Sequence, residues 1–174
     1  MNNKWVVKIN TKHPEGDAYG GIVLDYNRNY VVFRIIDDFE PDGIIVLPKK
    51  WIKNIRNGKL EKCYNDVIRV CNTLKKVKET GWLLGMKTME EIVNHLKSQG
   101  TWPSVEVVHD NGSSLYLGEI TEVSKNSFSM NCYDAEGKWE KIYQLTYDMV
   151  FKIEVDSKYV RHFNNYMRST SKAG

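Results

Sequence analysis

The chain has 174 residues, with 25 lysines and arginines against 22 aspartates and glutamates, a formal net charge of +3. Apolar residues at 41% and charged residues at 27% belong to a folded globular protein, and exclude a disordered chain. Charge sums to +2 over residues 1–58, +3 over 59–100 and −2 over 101–174, which argues against one continuous basic track for nucleic acid.

Met1-Asn2-Asn3-Lys4-Trp5 runs straight into a strand pattern, without the apolar core of a signal peptide. Short runs rich in Val, Ile and Tyr follow at Trp5–Ile9, Gly21–Asp25, Tyr30–Ile36 and Ile44–Leu47. Turn clusters separate them at Thr11–Asp17, Asn27-Arg28-Asn29 and Asp37–Gly43, and a fifth strand is predicted at Ile52–Ile55. The period then changes. Leu60, Cys63, Tyr64, Val67, Ile68, Cys71 and Leu74 recur at three- and four-residue steps, predicting an amphipathic helix over about 59–78. Lys75, Lys76 and Lys78 complement its dipole, and Gly81 is its expected stop. A second helix is expected from Thr88, where Thr88 and Glu91 form a capping box and Met89, Ile92, Val93 and Leu96 make one stripe before Gly100. Strands return at Val105–Val108, Leu115–Val123, Ser127–Tyr133, Lys141–Leu145 and Val150–Val155. A short helix at about Lys158–Met167 closes the pattern, and a polar tail predicted to be disordered occupies 168–174.

The two β regions superpose when Gly21 is laid on Gly118. Val23 meets Ile120, Val31 meets Phe128, Phe33 meets Met130 and Ile35 meets Cys132. These are alternate positions, as one buried strand face requires. After an acidic turn in each copy, Leu47, Ile52 and Ile55 meet Leu145, Val150 and Ile153 at an offset of 98. A duplication is therefore expected. It divides the chain into a first barrel (1–58), a helical connector (59–100), a second barrel (101–157), a C-terminal helix (158–167) and the tail (168–174).

Each copy resembles the bent five-stranded barrel of the Sm-like and SH3-like families. The resemblance lies in Gly21-Ile22-Val23 before Asn27-Arg28-Asn29, in Gly118-Glu119-Ile120 before Ser124-Lys125-Asn126, and in the spacing of the closing strand. Segments Asp37–Ile55 and Trp102–Gly118 also resemble uncharacterised bacterial proteins of this layout. The implied fold is mainly β with α: two five-stranded Sm/SH3-like barrels joined by a helical segment, each followed by a helix. The copies depart from the Sm-like pattern where RNA would be read. Val31 and Phe128 stand where the family has a base-reading asparagine, and Pro48-Lys49 and Thr146-Tyr147 replace its Arg-Gly pair. Uridine-tract recognition is not inherited.

Asp38-Phe39-Glu40-Pro41-Asp42-Gly43 starts like a calcium loop, but position twelve is Lys49, so a solvated hairpin turn is the reading. His13, His95, His109 and His162 form no close-spaced ligand pair, and no metal or cofactor is expected. Cys63 and Cys71 fall on the apolar helix face and Cys132 on a barrel strand, which predicts buried free thiols in a cytoplasmic protein. The candidate binding residues are Lys49, Lys50, Trp51, Lys53 and Arg56, a basic cluster around one aromatic ring. Taken together, the residues indicate a non-enzymatic binding or adaptor protein, engaging a protein partner or a second copy of itself, with no membrane role. The alternative is single-stranded RNA binding through the basic rim of the first barrel. A third reading is a small hydrolase using Cys132 or a histidine, for example Cys132 paired with His109.

Overall fold

The computed structural model describes residues 5–71 and 85–170. It divides into two compact units, Met1–Gly85 and Met86–Gly174. The first holds β1 (Val6–Thr11), β2 (Ala18–Tyr26), β3 (Tyr30–Asp37), β4 (Glu40–Pro48), a 3-10 turn (Lys49–Trp51), β5 (Ile52–Arg56) and α1 (Lys59–Val70). The second holds α2 (Met89–Ser98), β6 (Ser104–His109), β7 (Gly112–Val123), β8 (Ser127–Tyr133), β9 (Trp139–Thr146), β10 (Val150–Val155) and α3 (Lys158–Thr170). All ten expected strands are present, so the protein is mainly β with helices. Among the described residues, no helix is long and apolar enough to cross a membrane.

The expected closed barrels are not. In the first unit the antiparallel order is β5-β1-β2-β3-β4, and in the second it is β10-β6-β7-β8-β9. Each set begins and ends on different strands and is an open sheet. Closure would require the fifth strand to pair with the fourth as well. β5, only five residues long and interrupted by a bulge opposite Asn10/Thr11, makes its ladder with β1.

The registers of the two units correspond pair by pair. Gly21 faces Ile35 and Val23 faces Phe33; 97 residues on, Gly118 faces Cys132 and Ile120 faces Met130. The irregularity between Val23 and Asp25 recurs between Ile120 and Glu122. That between Arg34 and Ile36 recurs between Asn131 and Tyr133. Bulges bend a strand and increase its twist, so both sheets bend at the same places.

Glycine is required where the bend is tightest. A Cβ on Gly21 would lie 2.0 Å from the Arg34 carbonyl oxygen, and one on Gly118 2.0 Å from that of Asn131. Both faces of the first sheet are buried in part: Ile9, Ile22, Phe33, Ile44 and Ile45, like Val105, Phe128, Met130, Val150 and Ile153 in the second unit, are all 4% exposed or less, and Ile22 clusters with Val6, Ile36 and Ile68 of α1.

The predicted long turn at Asp37–Gly43 is in fact a two-residue hairpin. Asp38 and Phe39 both have positive φ, 43° and 65°, and β4 already begins at Glu40. Two consecutive left-handed residues match the right-handed twist of the flanking strands. Phe39 is held there by stacking on Tyr64 (centroids 4.4 Å apart) and by donating its N–H to the Tyr64 hydroxyl at 3.1 Å.

Helix α1 begins where periodicity places it, and positions 72–78 of the predicted helix, with Lys75, Lys76, Lys78 and the stop at Gly81, lie outside the described residues. The inward stripe is Glu61, Asn65 and Ile68. Asn65 accepts the Val6 N–H at 2.7 Å and donates to the Val6 carbonyl at 3.1 Å. Cys63 and Cys71 were expected in the core and are exposed, because this polar docking turns their stripe outward; Cys132 is buried as expected. In the second unit, α2 is capped by the Thr88 hydroxyl, which accepts the Glu91 N–H at 3.1 Å. Helix α3 extends to Thr170 and packs Met167 and Phe163 against Leu117 and Tyr133.

Replacement of either bend glycine tests this architecture. Gly21→Ala and Gly118→Ala are each expected to lose about 1–3 kcal/mol or more in urea unfolding, because the added methyl meets backbone that cannot step aside. Gly20→Ala, whose Cβ meets nothing within 4 Å, is expected to stay near wild type.

Candidate functional site

The sequence-predicted cluster sits at one corner of the first unit, where the 3-10 turn passes into β5. Lys49 Nζ lies 5.2 Å from the centre of the Tyr26 ring, and Lys50 Nζ lies 5.3 Å from that of Trp51. Lys53 is exposed on β5, and Trp51 is half-buried. Tyr26, 70% exposed, is an aromatic member of this corner that pattern reading missed. No signal in its own neighbourhood marks it, since it lies just beyond the predicted strand Gly21–Asp25 and meets Lys49 only through the pairing of β2 and β4 with β3.

Arg56 has a different task. Its Nε and Nη2 both donate to Glu61 Oε1, at 3.0 and 2.7 Å, while Glu61 Oε2 accepts the Gly58 N–H at 2.7 Å. One carboxylate thus caps α1 and ties it to the end of β5. The Arg56 hydrogen bonds, and then that from Gly58, hold the Glu61 carboxyl below the usual glutamate range. Of the five predicted residues, Lys49, Lys50 and Trp51 take part in the two cation–aromatic pairs and Lys53 is exposed, whereas Arg56 serves the fold.

Cys132 and His109, the example pair of the hydrolase reading, do not come together. His109 faces Gly112 at one end of the β6–β7 hairpin, whereas Cys132 faces Gly118 on β8. Six residues along β7 correspond to roughly 20 Å at ~3.3 Å per residue. The Cys132 thiol is buried and contacts the Met130 carbonyl, and burial pushes it up to about 12, so it carries no thiolate at neutral pH.

Two open cavities lie at corresponding places in the two units, between the sheet and the helix after its last strand, and nothing in the sequence announces them. Ala18, Gly20, Ile36, Leu60 and Tyr64 line the first, of about 230 Å³. Leu115, Leu117, Tyr133, Tyr159 and Phe163 line the second, of about 230 Å³. The strand positions differ by 97 and the helix positions by 99. Each volume far exceeds the about 10–15 Å³ that one water needs. The first is walled mainly by aliphatic groups, with Lys8 and the Arg56-paired Glu61 among its lining residues. The second is walled by aromatic rings together with the carboxylates of Asp134 and Glu140.

The chain matches no protein-family model, and no curated protein and no solved structure is significantly similar to it.

The Glu61 clasp has a pH signature. A carboxyl whose folded pKa is lowered adds stability above the ordinary glutamate range, and that stability is lost as the pH falls through the range toward the lowered value. Glu61→Gln is therefore expected to be less stable than wild type at pH 7 and to lose less on acidification from about pH 5 to pH 3. Urea midpoints measured across that interval give the comparison.

Proposed function

We propose that the chain is a non-enzymatic binding or adaptor protein, a duplicated Sm-like unit that engages a protein partner through the outward face of α1. The observation that carries this reading is the exposure of Leu60, Val67 and Val70, at 66%, 36% and 77%. With Cys63 they form an exposed apolar stripe along the helix, apart from the inward line of Glu61, Asn65 and Ile68, with Leu60 at its edge also lining the first cavity. Apolar surface left in water costs about 25 cal/mol per Å², and contiguous patches of it mark interaction sites on folded proteins. The duplication is supported by the matched registers and bulges of the two sheets, which repeat at one offset down to the bend glycines.

Leu60→Glu and Val70→Glu test the proposal. Both side chains are exposed, so stability is expected to stay within about 0.5 kcal/mol of wild type. Association, whether with a second copy in sedimentation or with a partner in cross-linking at mild salt, is expected to weaken at least tenfold. A wild-type protein that stays strictly monomeric and cross-links to nothing removes the reading.

A second reading is favoured by the two cation–aromatic pairs at one corner, Lys49 on Tyr26 and Lys50 on Trp51. Cations for phosphate beside rings for base stacking are the chemistry of single-stranded RNA binding. Under that reading, oligouridine or oligoadenosine affinity falls with rising salt, and Lys49→Ala with Lys50→Ala flattens the salt slope. Arg56→Ala is not a clean test, since it also breaks the Glu61 clasp. Salt-independent or absent binding eliminates RNA.

A further inference from the structure

The two matched cavities differ in chemistry, and the difference points to a ligand for the second. Where the first has Ala18, Ile36 and Leu60, the second has Leu115, Tyr133 and Tyr159. Its rings are mutually ordered. Phe163 lies 15° from parallel to Tyr133, with centroids 6.3 Å apart, and Tyr159 packs on Phe163 at 4.8 Å. The Tyr133 hydroxyl donates to Asn164 Oδ1 at 2.8 Å, and Asn164 in turn donates to the Trp102 carbonyl at 2.8 Å, which fixes the buried ring.

Two acidic residues, Asp134 and Glu140, join these rings, and among the described residues no lysine or arginine lines the cavity. Asp134 Oδ1 accepts the backbone N–H groups of Glu136 and Lys138, both at 2.9 Å, so the turn that carries it is held in shape. Glu140 lies on the largely exposed strand β9, and its side chain is exposed. Three cations of these elements have partners of their own: Lys138 pairs with Glu136 at 2.6 Å, Lys141 lies 5.2 Å from the centre of the Tyr143 ring, and Arg168 donates to the Gly100 carbonyl at 2.7 Å while stacked over Trp102.

Aromatic faces attract cations through their quadrupole, and carboxylates add charge and directed acceptors. A planar guanidinium uses both, stacking on a ring while its N–H groups meet carboxylate oxygens. We propose that the cavity lined by Tyr133, Tyr159, Phe163, Asp134 and Glu140 receives an arginine side chain of a protein partner. This rests on the partner-binding reading above and specifies the chemistry of the partner.

The test uses the full-length protein and a pair of probes, N-acetyl-arginine amide and its neutral isostere N-acetyl-citrulline amide, followed by heteronuclear NMR. The arginine probe is expected to shift resonances of the residues that line the cavity, Ala135 included, and to bind about tenfold or more tightly than the citrulline probe. Glu140→Gln, at an exposed position that leaves the fold intact, is expected to weaken the arginine probe several-fold. Asp134→Asn, which keeps an oxygen acceptor for the turn, is expected to do the same. Phe163→Leu removes the stacking surface, and Glu140→Gln keeps the question answerable if that variant fails to fold. Equal responses to both probes, or shifts confined to residues outside the cavity, overturn the proposal. Those outcomes leave association through α1 untouched, because Leu60→Glu and Val70→Glu report on the other unit. A responsive cavity in a protein that associates with nothing would instead remove the α1 reading.

Discussion

Each unit depends on one close approach of backbone to backbone. At Gly21 the second strand comes so near the third that the place of a Cβ is taken by the Arg34 carbonyl, and at Gly118 the Asn131 carbonyl stands in the same relation. Contact this tight, beside a bulge two to four residues on, bends the sheet sharply within a few residues. The bend lets the fifth strand return beside the first, and places the helix that follows against the sheet. Ladder, core and helix–sheet cavity all follow from that geometry, which is why they recur in both units.

The helix after the fifth strand is docked differently in the two units. In the first, polar groups anchor it: Asn65 bonds both backbone groups of Val6, and Glu61 joins the Gly58 N–H to Arg56. Buried polar groups must be matched, so these bonds fix the rotation of α1 more tightly than a sliding apolar contact would. The cost is an apolar stripe left facing outward. In the second unit the anchor is aromatic and apolar, with Phe163 and Met167 on Tyr133 and Leu117. That exchange of polar for aromatic docking is also what makes one cavity aliphatic and the other ring-walled.

Much of the secondary structure was legible because it rests on local terms. Short apolar runs between turn clusters marked all ten strands, the shift to three- and four-residue spacing marked α1, and Thr88 with Glu91 marked the start of α2. A hairpin turn was legible here, but not its tightness at Asp38-Phe39, since Phe does not favour positive φ and the contact that holds Phe39 comes from Tyr64, 25 residues away. The orientation of α1 was misread for a related reason. Periodicity shows that a helix has an apolar side, but here the side that docks is decided by Asn65 meeting Val6, 59 residues apart. The basic corner could be read from Lys49 to Lys53, yet the separation of Arg56 from that group depends on Glu61, and the addition of Tyr26 depends on strand pairing.

The sequence by itself determined the order and kind of the elements, and the correspondence of the two halves, anchored on Gly21 and Gly118. Those properties follow from side-chain periodicity and from positions where only glycine fits. Tertiary structure alone decided that the sheets stay open, which face of α1 meets water, and that two cavities of different chemistry occupy one place in the fold. Such outcomes depend on groups tens of residues apart coming within hydrogen-bonding or ring-stacking distance, and no local pattern records which partner a side chain will meet.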